Sequence, residues 1–158
     1  MNRNLLRFGL LSLLLVLACI AKAQDVTAIW DFQKNLPEGI NTATNFQGTT
    51  GDINSTVDGI TMHVDATTGK LKGRTSDAQF NTGTKLQIPV KSAKDVVTVT
   101  SYPNYHNYTV GGVAATADVT DHKATSAEVA QGYVEVIAIG SSYLYQVKVV
   151  HVSAIQEK

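Results

Sequence analysis

Two groups of side chains in this sequence could carry chemistry. The seven residues from Tyr102 to Tyr108 hold three tyrosines and a histidine: Tyr102, Tyr105, His106 and Tyr108, with Asn107 among them. Earlier in the chain, Lys70 and Lys72 lead into a polar segment that carries Arg74, Asp77, Gln79 and Asn81. Sugar recognition uses this mixture. Flat aromatic faces meet C–H groups, and planar amides and charges read hydroxyls. Arg74 could also grip a carboxylate through two parallel hydrogen bonds. The alternative is structural, with alternate tyrosines packed inward and the polar side chains tying their own loops together.

The elements that must position these groups read as strands. Ile60, Met62 and Val64 alternate with Thr61, His63 and Asp65, and Leu86, Ile88 and Val90 repeat the pattern, so two half-buried strands are expected to flank a long loop carrying Arg74. Loops mounted on a rigid sheet are common carriers of binding groups. Val26, Ala28, Trp30 and Phe32 predict an N-terminal strand with Trp30 as a core anchor, and Asn41 to Thr56 reads as loop with one short strand at most. Val97 and Val99 alternate with Thr98 and Thr100 in another strand, which the Pro103-Asn104 turn signal ends. A small-residue linker runs from Val113 to Thr120. The one predicted helix covers 124–131, capped by Thr125 or Ser126 and stopped by Gly132. Two β-rich runs, Tyr133 to Ile139 and Tyr143 to Val149, read as a hairpin turning at Gly140-Ser141-Ser142. Seven or eight short strands with one helix predict an all-β fold, an antiparallel β-sandwich of jelly-roll, galactose-binding-like type.

Residues 1–23 read as an export leader: Arg3 and Arg7, an apolar Leu10–Ile20 and a small-x-small site at Ala21-Lys22-Ala23. A lipid anchor on Cys19 is the competing reading, since Val16-Leu17-Ala18-Cys19 is lipobox-like apart from Leu17. The chain is therefore expected to be exported, secreted or periplasmic, with no transmembrane segment. Removing these 23 of 158 residues leaves 135, one domain, with ten basic and thirteen acidic residues and a net charge of −3. That composition offers no basic field for nucleic acid. Cys19 is the only cysteine, so the exported domain has no disulfide and no thiol chemistry.

No catalytic motif is present: neither a G-x-S-x-G elbow, an H-E-x-x-H pair nor a phosphate-binding loop. His63, His106, His122 and His151 lack the spacing of a zinc site, and spacing favours no pair of acids for glycoside hydrolysis. No cofactor is expected. A structural calcium ion could use Asp118 with Asp121, or Asp52 with Asp58, although the same residues serve as turn formers.

The segments AIWDF (28–32), VDATTGKLKGRTSDAQFNTGTKLQIPV (64–90), VTVTSYPNYHNYTVGG (97–112) and ATSAEVAQGYVEVIAIGSSYLYQVKVV (124–150) resemble the N-terminal accessory domain of secreted bacterial pectate lyases and pectinesterases. The resemblance implies a carbohydrate-binding β-sandwich in pectin breakdown, with plant cell-wall polysaccharide as partner and a catalytic domain or enzyme nearby. Such enzymes continue into a β-helix beyond the position of Lys158, and their catalytic residues belong to that part, so none carries over. A non-catalytic polysaccharide-binding module is therefore the leading expectation. The alternatives are a structural or protein-interaction domain, an enzyme with unrecognised acid and base, and a truncated pectate lyase.

Overall fold

A computed structural model describes residues 25–34, 36–40 and 45–153. The expected leader and the Cys19 anchor lie outside the described residues. Those described form thirteen strands, numbered β1–β13 in chain order, and one helix, α1 (Ser126–Gln131).

Two antiparallel sheets pack face to face. The first contains β1 (Val26–Asp31), β2 (Asn45–Gln47), β5 (Lys70–Gly73), β6 (Ala78–Asn81), β8 (Val96–Ser101), β11 (Val119–Lys123) and β13 (Ser142–His151). Its order is β11-β8-β13-β6-β5-β2. One edge of β13 is shared: β6 pairs with Ser142–Leu144 and β1 with Gln146–His151. The second contains β3 (Thr50–Asn54), β4 (Thr61–Asp65), β7 (Lys85–Pro89), β9 (Tyr108–Val110), β10 (Val113–Ala114) and β12 (Tyr133–Ala138), in the order β10-β9-β12-β7-β4-β3. From β6 onward the chain crosses repeatedly from one sheet to the other, as a jelly roll does.

The core follows from period-two alternation. Met62 and Val64, Leu71, Phe80, Leu86 and Ile88, Val97 and Val99, Val134 and Val136, Leu144, Val147 and Val149 all face inward. Trp30 is the predicted anchor. It is wholly buried, and its indole N–H donates to the Ile53 carbonyl at 2.9 Å, so its one polar atom is satisfied. The six-residue helix buries no residue and depends on its caps. Thr125 accepts from the Glu128 N–H, the Glu128 carboxylate returns to the Thr125 N–H at 2.7 Å, and Gly132 closes the C-terminus at φ 92°.

Four expectations are corrected. The segment between β4 and β7 is not one long loop, because β5 and β6 form a hairpin within it and bury Leu71 and Phe80. Buried Thr84 stitches that hairpin's base, accepting from Lys70 N–H and donating to the Asn81 carbonyl, both at 2.7 Å. The runs 133–139 and 143–149 are not a hairpin, since β12 and β13 belong to opposite sheets. The Asn107 carbonyl takes the Ile139 and Gly140 N–H groups, and the Asn107 amide donates to the Ser141 carbonyl, which turns the chain across the sandwich. Residues 41–56 carry two short strands rather than one, and the presumed linker at 113–120 contains β10 and the start of β11.

No helix among the described residues is long and apolar enough to cross a membrane.

Candidate functional site

The β5–β6 hairpin places Arg74 at its tip. The Arg74 N–H closes the turn onto the Asp77 carbonyl at 2.7 Å. The side chains meet as well: Arg74 Nε lies 3.2 Å from Asp77 Oδ1, an ion-pair contact too bent to be a hydrogen bond. Arg74 is about half exposed, at 47% of its side chain, whereas Asp77 is buried at 5%. Asp77 is thus the anchor and Arg74 the group offered to solvent. The guanidinium carbon also stands 4.8 Å from the Tyr143 ring centroid, within cation–π range.

Tyr143 links this hairpin to the tyrosine cluster. It lies opposite Gln79 in the β6–β13 ladder, and its carbonyl accepts the Tyr102 N–H at 2.7 Å. Tyr102, Pro103, Asn104 and Tyr105 form a turn closed by Tyr105 N–H to the Tyr102 carbonyl at 2.9 Å, with Asn104 at φ 66°. Proline second and a positive φ third are the signature of a type II turn. Asp118 secures the turn from below, accepting the Asn104 N–H at 2.9 Å and lying 3.1 Å from His106 Nδ1.

The outcome is a connected aromatic surface. Tyr105 and Tyr143 have ring centroids 4.8 Å apart, and Tyr102 lies 5.7 Å from both Tyr105 and Tyr145. All these contacts are edge-to-face, the favoured geometry for rings with negative faces and positive edges. Tyr102 and Tyr105 are exposed at 45% and 41%. A bulge in β13 between Leu144 and Gln146 leaves both Tyr145 and Gln146 half-exposed before Val147 returns inward. Partial burial, then the neighbouring Tyr102 and Asp77, push the Tyr145 hydroxyl above its ordinary pKa.

The structure therefore gathers Arg74, Asp77, Gln79, Tyr102 and Tyr105 in one place, with Asn81 farther along the same face of β6. His106 stands beside them, half-buried and held by Asp118. Tyr108 is the correction. It is wholly buried, and its hydroxyl lies beside Ser101 and Thr120 with no well-formed hydrogen bond. Burial raises its pKa above the ordinary value. Its alternation within β9 points it inward, so it is a core residue and cannot meet a ligand.

Comparison with known proteins finds no family model, no curated protein and no solved structure that matches this chain.

Tyr143 and Tyr145 are site residues that sequence reasoning missed. Their signal was two tyrosines at period two, but they read as strand filler. The candidate calcium acids all have other partners or roles. Asp118 holds the tyrosine turn, Asp121 accepts from the Thr98 hydroxyl, Asp52 meets His63, and Asp58 occupies a turn at φ 63°. Among the described residues no three metal-ligating side chains converge.

Proposed function

We propose that this sandwich is a non-catalytic carbohydrate-binding module for an acidic, pectin-like plant cell-wall polysaccharide, working outside the cell beside a catalytic partner. One observation carries the reading: four tyrosines from two separate segments share a surface with an arginine that a buried carboxylate holds in place. Rings suit the faces of sugars, and an oriented guanidinium suits a uronate carboxylate. Lys70 and Lys72, on the neighbouring strand of the same sheet, add positive charge. The resemblance of four segments to accessory domains of pectate lyases and pectinesterases supports the same ligand class.

The test is isothermal titration of the 24–158 domain with homogalacturonan, galactan and a neutral xylan, with and without calcium. Saturating heat is expected with homogalacturonan. Arg74→Ala removes a charge-assisted contact of about 1.5–3 kcal/mol, so affinity should fall roughly tenfold or more. Tyr105→Ala should weaken binding too, and the polymer should keep its length. Silence from a folded sample would refute the reading. New unsaturated or reducing ends would refute its non-catalytic part.

A further inference from the structure

Strand register extends the tyrosine and arginine surface into a track. Asn45 on β2 pairs with Lys72 on β5, Lys72 with Gln79 on β6, and Gln79 with Tyr143 on β13, whose carbonyl meets Tyr102. None of these residues is buried. Neighbouring strands lie about 4.8 Å apart, so this row runs roughly 19 Å across the sheet. A second row lies one side-chain repeat away: Gln47 pairs with Lys70, and Lys70 with Asn81. Gln47, Lys70, Asn81 and Ser141 line a shallow polar groove of about 410 Å³. The Asn81 amide oxygen is itself buried and has no hydrogen-bond partner among the described residues.

Chemistry changes along the track. Rings and Arg74 stand at the β13 end, and lysines with planar amides fill the β5–β6 part. Neither row carries a carboxylate. Of the acids beside it, Asp77 is buried against Arg74, and Asp118 at the tyrosine turn is engaged by the Asn104 N–H and His106. A linear arrangement of cations and amides along an open groove suits an extended polyanion, whereas a chain end would call for an enclosed pocket.

We infer that the acidic polysaccharide lies across the strands, from the tyrosine cluster to edge strand β2, so that the module grips an internal run of several uronate units rather than a chain end. This rests on the function proposed above.

A ladder of oligogalacturonates from dimer to octamer, together with polymer whose reducing ends have been chemically reduced, tests it by titration calorimetry. Affinity should climb with each added unit until the track is covered, with the octamer binding at least roughly tenfold tighter than the dimer. End-reduced polymer should bind as well as untreated polymer. The Lys70→Ala/Lys72→Ala double variant should lose more affinity for the octamer than for the dimer, and its octamer binding should become less sensitive to salt. A dimer that binds as tightly as the octamer would overturn the track, as would loss of binding on end reduction. Either result would leave glycan binding itself standing. Binding to no length and no polymer would remove the glycan reading and the track together.

Discussion

Asp95→Asn should destabilise this fold severely without touching the tyrosine face. Asp95 is wholly buried where the β7–β8 loop meets the end of β13. Its Oδ2 accepts the Lys91 N–H at 2.7 Å and the Ser92 N–H at 3.2 Å, and faces His151 Nδ1 at 2.8 Å. Its Oδ1 accepts the Val152 N–H at 3.1 Å. Burial alone would raise the carboxyl pKa. The Lys91 N–H, the His151 ring and the Val152 N–H outweigh that and hold it below its ordinary 3.8. An asparagine has one acceptor oxygen, so in either orientation its amide hydrogens confront N–H donors. Removing one partner from a buried charged network costs about 3–5 kcal/mol, or roughly 10–15 °C of melting temperature for a domain of this size. The sign in pH follows from the lowered pKa. The stability that Asp95 contributes is complete above its unfolded value and drains away as pH falls through the lower folded value. Denaturant melts of wild type and Asp95→Asn should therefore differ most near neutral pH and converge in acid. A variant within about 1 kcal/mol of wild type at neutral pH would refute the reasoning, and so would a gap that persists unchanged in acid. Tyr102 and Tyr143 lie at the opposite ends of β8 and β13 from this clasp, so folded Asp95→Asn should bind glycan as wild type does.

Three further outcomes are expected. Tyr108→Phe should change stability by less than about 1 kcal/mol, because it removes a buried hydroxyl that makes no good hydrogen bond, whereas Tyr108→Ala should cost about 3–5 kcal/mol. Glycan titration with Tyr108→Phe should match wild type, as befits a core residue. Thr125→Ala should cost about 1 kcal/mol in denaturant melts and speed hydrogen exchange at the Val129 amide, which bonds the Thr125 carbonyl, since the unburied helix relies on its capping box. Alkaline absorbance titration should show Tyr108 and Tyr145 ionising later than an ordinary tyrosine at 10.0, and Tyr145→Phe should reduce the late amplitude by one tyrosine while leaving that of Tyr108.

The sequence made the faces of the strands legible, but not their neighbours. Period-two alternation assigned Met62, Val64, Leu86 and Ile88 to the interior correctly, because burial on one face is a local constraint. The same alternation in 133–139 and 143–149 was silent about which sheet each run joins. That choice depends on Asn107, more than thirty residues upstream of Ser141, capturing the backbone of the crossover. Two polar segments rich in aromatic and charged groups could be picked out as candidate binding loops, yet nothing local showed that they meet. Their meeting depends on Gln79 standing opposite Tyr143 and on Tyr102 bonding to the Tyr143 carbonyl, a register set by the whole first sheet. Tyr108 was misjudged for the complementary reason: it closes a dense aromatic run, but β9 begins at that residue and its alternation turns the ring inward. Tyr145 escaped notice because a bulge carries no clear sequence mark, and it is the bulge that lets Tyr145 and Gln146 both stay outside. A candidate face assembled from strand register is therefore hidden from any reading of one segment at a time, even where each contributing segment can be recognised by its chemistry.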